Sequence, residues 1–164
     1  MRKYFISLLA VCFLLNSFVG VVDAQSADIS LNIRDGSNIV FSGLLSLPTS
    51  GNVDISDSNG TTHSVNAHSV LSMLSTADLA DDTWSVSDLT FYDSFGSFYV
   101  KCIDYGGGEK CDNWQYVVDG TSPFSSIDQS ILSGGEEVYL YFGNPHQVVL
   151  SSSSVEVNQS FQVT

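Results

Sequence analysis

The stretch SFYVKCIDYGGGEKCDNWQYVVDG, residues 97–120, sets the class of the fold. From Phe98 to Ile103, one face carries Phe98, Val100 and Cys102, and the other carries Tyr99, Lys101 and Ile103. A period of two with one apolar side is the pattern of a strand packed on one face. The run Gly106-Gly107-Gly108 is a hairpin connection, and Cys102 and Cys111 flank it. Trp114, Tyr116 and Val118 then share one face of the next strand, which Asp119-Gly120 ends as a turn.

The same reading extends in both directions. Ile29, Leu31 and Ile33 alternate in the segment Asp28 to Arg34, Asp35-Gly36-Ser37-Asn38 turns the chain, and Asn38 to Leu47 returns as a hairpin partner. Asn52 to Ser56 is a short strand before the turn Asp57-Ser58-Asn59-Gly60. Trp84 to Leu89, Thr90 to Tyr92 and Glu136 to Phe142 supply further strands. One segment breaks the period: Val70, Leu71, Leu74, Ala77 and, less cleanly, Leu79 recur at spacings of three and four. That predicts one short amphipathic helix within Ala67 to Leu79, with Asn66 as N-cap and an end near Asp81-Asp82, covering one face of a sheet. The expected class is α+β, a mainly antiparallel sheet with one short helix.

Composition bounds the partners. The 164 residues hold 18 acidic and 5 basic side chains, a net charge of −13. Nucleic-acid binders need clustered Lys and Arg, so that class is excluded, and docking on an anionic membrane surface is disfavoured too. Residues 1–24 read as a signal peptide: Arg2 and Lys3, then an uncharged and mostly apolar run, then Val22-Asp23-Ala24 before Gln25. An uncleaved anchor is the alternative, since the 19 uncharged residues Tyr4 to Val22 just reach across a bilayer. Any membrane contact is expected through this segment alone, and the expected location is secreted or cell-surface.

Export bears on the cysteines. Cys12 leaves with the signal, and Cys102 and Cys111 remain as an even pair in an oxidising compartment, where a disulfide is the default. A zinc site is the competing use, but these two cysteines have no nearby His. The domain proper is expected over residues 25–145. Residues 146–164 hold the serine run Ser151 to Ser154, a linker, and alternation resumes at Val155, Val157, Phe161 and Val163, like the start of an immunoglobulin-like module.

No catalytic constellation is legible. His63, His68 and His146 are scattered and read as surface or loop residues. Asp57-Ser58-Asn59-Gly60 looks like part of a calcium loop, but that register puts Ile55 at the first ligand position and Asn66 at the last, so an Asx turn is the better reading. No nucleophile elbow or phosphate loop is present, and no metal or cofactor is expected.

Thirteen of the 19 aromatic residues lie between Trp84 and Phe142. Val138, Leu140 and Phe142 share a face opposite Tyr139 and Tyr141. Tyrosine faces are amphipathic, with apolar rings and polar tips, so Tyr99, Trp114, Tyr116, Tyr139 and Tyr141 are the candidate ligand-binding residues. A half-buried second sheet face is the more ordinary account of them, because tyrosine is common on strands.

The order of these segments carries a family resemblance. Ser69-Val70-Leu71-Ser72-Met73-Leu74, the strand from Ser97, Asn113-Trp114-Gln115-Tyr116-Val117-Val118-Asp119-Gly120, and Gly134-Gly135-Glu136-Glu137-Val138-Tyr139-Leu140-Tyr141-Phe142 follow an initial hairpin. Together they resemble the transcobalamin-like C-terminal domain family of bacterial secreted and surface proteins, over roughly Ala27 to Gly143. The family usually has Asn where Asp119 stands. The resemblance implies a β-grasp-like domain that binds a soluble ligand. In animal cobalamin carriers the similar domain closes over the vitamin from one side. The expected function is therefore a non-catalytic exported recognition module for a small molecule, a cobalamin or other corrinoid or another small ligand, or for a surface-protein partner. A structural spacer or adhesion module of a larger surface protein is the alternative.

Overall fold

The computed structural model describes residues 28–143. The expected signal peptide, the expected linker with its immunoglobulin-like start, and His146 lie outside the described residues. The chain forms strands β1 (Asp28–Asp35), β2 (Asn38–Ser46), β3 (Asn52–Ser56) and β4 (Thr62–Asn66), helix α1 (Val70–Ala80), then β5 (Trp84–Tyr92), β6 (Ser97–Tyr105), β7 (Gly108–Cys111), β8 (Trp114–Val118) and β9 (Glu137–Phe142). The class is strand-rich α+β with one short helix.

Three sheets result. One has the order β2-β1-β9-β8, one is the hairpin β3-β4, and one has the order β5-β6-β7. All pairings are antiparallel except β1 with β9, which run parallel with Leu31 opposite Val138 and Ile33 opposite Leu140. Ile29, Leu31 and Ile33 are fully buried, as are Val138 and Leu140, so the alternating side of β1 and β9 faces the core. Leu71, Met73 and Leu74 of α1 and Trp84, Phe98, Val100 and Ile103 of β5 and β6 complete the same cluster. The helix and the second sheet thus cover one face of the first.

The helix differs from its sequence reading at both ends of its apolar stripe. Ser69, not Asn66, is the N-cap: its Oγ accepts the Ser72 N–H at 3.1 Å. Asn66 instead closes an Asx turn on the His68 N–H at 2.8 Å, so its short side chain is already used two residues on, before the helix starts. Leu79 is 89% exposed, and Met73 takes the buried position, because the stripe winds away from the sheet in the last turn. The first helical N–H groups are met from outside: Val70 donates to Ser130 O and Leu71 to Ile127 O, both at 3.0 Å.

Turns follow side-chain chemistry. Strand β6 runs on to Tyr105 and β7 starts at Gly108, so only Gly106 and Gly107 turn the hairpin, with φ of 60° and 80°. Positive φ at both centres is the demand of a tight hairpin turn, which glycine meets without strain. Asp119 adopts φ 49° before Gly120, and its Oδ1 accepts the Glu137 N–H at 2.9 Å. A carboxylate oxygen there makes the bond that an Asn carbonyl would make. Asp57 Oδ1 accepts the N–H groups of Asn59 and Thr61, both at 2.9 Å, which is the Asx turn expected of that segment.

Two carboxylates, Asp57 and Asp88, couple stability to pH. The Thr61 N–H, ahead of other donors, holds Asp57 below the usual carboxylate range, and the Lys101 ammonium does the same for Asp88 at 3.0 Å. A depressed folded pKa stabilises above the unfolded value of about 4 and loses that contribution as pH falls through the folded value. Urea midpoints measured from pH 7 down to pH 2 are expected to fall in this acid range. Asp57→Asn keeps an acceptor for both N–H groups and should flatten that acid limb.

Candidate functional site

A cleft of about 510 Å³ opens between β6, β8 and the segment 122–127. Its base is apolar and belongs to the core: Phe98 and Val100 from β6, Trp114 from β8 and Leu140 from β9. Tyr92, Tyr99, Tyr116 and Pro123 border it. None of the lining residues carries a formal charge.

The Trp114 ring is placed by the hairpin before it. Cys102 and Cys111 stand opposite each other across β6 and β7 and are joined as a disulfide, the pairing expected from the sequence. Next to it, the Trp114 Nε1–H donates to Lys110 O at 2.8 Å. Phe142 meets the indole edge-on with centroids 5.3 Å apart, and Tyr105 does so at 6.3 Å. The sulfurs are bonded to each other, so the grouping of Cys102, Cys111 and Glu109 offers no thiolates to a metal, and Glu109 accepts a hydrogen bond from the Ser87 hydroxyl at 2.6 Å.

The opposite wall is a loop tied on both sides. The Tyr116 hydroxyl donates to Ser125 O at 2.7 Å, and Asp128 Oδ1 accepts the Phe98 N–H at 3.0 Å. The same loop supplies the carbonyls that meet the first turn of α1. Ser126 lines the cleft, and its buried Oγ has no hydrogen-bond partner among the described residues. Desolvation first, and then the Asp112 charge, raise the Tyr99 phenol above its ordinary pKa, so it remains a neutral donor at and above neutral pH.

Three of the five candidate residues therefore meet at one site: Tyr99, Trp114 and Tyr116. Tyr139 and Tyr141 do not line it. They alternate with Val138 and Leu140 and occupy the other side of the first sheet, where the Tyr141 hydroxyl donates to Gln115 Oε1 at 3.5 Å and the Glu137 carboxylate raises the Tyr139 phenol above its ordinary pKa. Tyr92, Ser126 and Pro123 were not foreseen, since they reach the cleft from a strand end and an irregular loop without periodic signal. His63 is not a plain surface residue. It stacks on Phe91 at 3.8 Å, meets Phe98 edge-on at 5.2 Å, and its buried Nε2 lies 3.6 Å from Asp57.

The chain matches no family model, no curated protein and no solved structure. The chemistry of the cleft is thus read from its own geometry: an uncharged, mostly aromatic recess with the Tyr99 phenol among its lining groups. No helix among the described residues is long and apolar enough to cross a membrane. The disulfide is compatible with an extracellular protein.

Removing the disulfide by Cys102→Ser with Cys111→Ser is expected to lower unfolding free energy by about 2.5–3 kcal/mol on chain-entropy grounds. Urea titration measures the loss, and Trp114 emission should shift to the red as the Lys110 bond loosens. Tyr116→Phe removes the tether to Ser125, costs about 1 kcal/mol, and should speed amide exchange across residues 122–127.

Proposed function

We propose that this chain is a non-catalytic exported binding module whose ligand sits in the aromatic cleft. The observation that carries this reading is the recess itself. Its volume falls within the roughly 300–1,000 Å³ range of small-molecule sites. Tyr99 and Gln115 are polar residues of its lining, and buried rings form the base. The exposed Phe95 packs edge-on against Tyr92, and Phe124, next to Pro123, is fully exposed, so apolar surface continues beyond the rim.

The ligand class follows from charge. An uncharged cleft in a chain of net charge −13 disfavours anions and suits a neutral or cationic molecule with a flat apolar face. A β-grasp-like identity is supported by the parallel β1–β9 pair at the centre of the first sheet and by the helix that follows the initial hairpins. The resemblance to the transcobalamin-like C-terminal domain family makes a corrinoid the first ligand to test. The cleft is open on one side, so it would hold such a macrocycle by one edge or face.

Titration of the purified protein with cobalamin, followed by tryptophan fluorescence, tests this. Saturable quenching is expected, and Tyr99→Ala should weaken it about tenfold, or about 1.4 kcal/mol. No response into the high micromolar range ends the corrinoid version. A screen of neutral and cationic aromatic compounds by NMR that shifts no resonance of Tyr99, Trp114 or Tyr116 ends the cleft as a ligand site.

A further inference from the structure

Aromatic rings attract cations through their electron-rich faces, and the attraction strengthens when the cation is desolvated. Five aromatic residues line the cleft, Tyr92, Phe98, Tyr99, Trp114 and Tyr116, and no lining residue carries a formal charge.

The charge around the cleft is one-sided. Residues 28–143 hold 16 acidic side chains and three basic ones. Asp128 bonds to the wall itself, where its Oδ1 accepts the Phe98 N–H at 3.0 Å. Asp112 is felt at Tyr99: after desolvation, its charge is the next cause that raises that phenol. The basic side chains offer little counterweight. Lys101 is held by Asp88 at 3.0 Å and Lys110 by Asp35 at 3.5 Å, and Arg34 stands on β1, with β9 between it and β8.

Given that the cleft is the ligand site, we propose that it takes the alkylated ammonium head of an organic cation, of which choline is the simplest probe. An anion would meet the surrounding carboxylates unaided, because no basic residue lines the cleft. A metal ion needs several oxygen ligands, and no carboxylate lines the recess. A compact ammonium ion gives up strong hydration that apolar rings do not replace. A methylated ammonium spreads the same charge over apolar surface. It sheds its water at low cost, packs on rings, and is drawn in by the net charge of −13. The chain makes a contact of this kind itself: Lys110 Nζ lies 5.5 Å from the ring centroid of Phe142, which in turn packs on Trp114.

NMR titration of the purified protein with choline, and in parallel with its uncharged isostere carrying tert-butyl in place of trimethylammonium, tests the proposal. Choline is expected to shift the Tyr99, Trp114 and Tyr116 resonances saturably and to bind about tenfold more tightly than the isostere. Its affinity should fall as salt is added, and that of the isostere should not. Asp112→Asn keeps a residue type that tolerates the positive φ there, and should weaken choline severalfold while leaving the isostere unchanged. Tyr99→Phe should keep the preference and Tyr99→Leu should reduce it severalfold, with amide shifts far from the cleft unchanged. Equal binding of the two probes overturns the cationic ligand while leaving the cleft a ligand site. A preference that survives both Asp112→Asn and Tyr99→Leu places the cation elsewhere and overturns the proposal too. So does a titration in which neither probe shifts these resonances, and the wider compound screen then decides whether the cleft binds at all.

Discussion

The parallel pairing of β1 with β9 is the constraint from which the other features follow. It joins residues near the start of the described chain to residues near its end, with Leu31 beside Val138 and Ile33 beside Leu140. Everything between Gly36 and Glu136 becomes the connection between two neighbouring strands. A parallel pair requires a crossover, and here the crossover contains the β3-β4 hairpin, the helix, the second sheet and β8. Because the central strands bury one whole face, that connection has to lie over it. Closing so long a loop costs entropy before its contacts form, so folding is expected to be governed by this late, non-local pairing.

The cleft is a by-product of the same arrangement. The β5-β6-β7 sheet and the first sheet share the core through Phe98 and Trp114, and Tyr99, Tyr116 and residues of the loop 122–127 border the cleft. That loop satisfies the first N–H groups of the helix through Ser130 and Ile127 and is tied to both sheets through Tyr116 and Asp128. Its position is therefore set by the helix as much as by its own sequence. The disulfide acts one layer away. It holds β7 in register with β6, which presents the Lys110 carbonyl to Trp114 and so fixes the base of the recess.

Much of the local structure was legible because its cause is local. The hairpin at Asp35-Gly36, the Asx turn at Asp57, the Gly106-Gly107 turn and the apolar stripe of the helix each depend on residues within a few positions. The helix cap was misplaced because Asn66 and Ser69 are both good caps, and only the path of the chain into the helix selects between them. The candidate site was half legible for a related reason. Alternation says which residues of one strand share a face, but not which sheet that face meets. Tyr99 and Tyr116 came together with Trp114, while Tyr139 and Tyr141 went to the other side of β9.

The sequence by itself determined the strand-rich α+β class, the single short helix, the pairing of Cys102 with Cys111 and the aromatic weight of the second half. Periodicity, turn residues and cysteine parity act over short range and need no knowledge of the whole. The tertiary structure alone decided the parallel β1–β9 neighbours, the cleft with Tyr92 and Ser126, and the packing of His63 against Phe91. Each of these depends on which surfaces meet across long separations, and no short-range pattern encodes that choice.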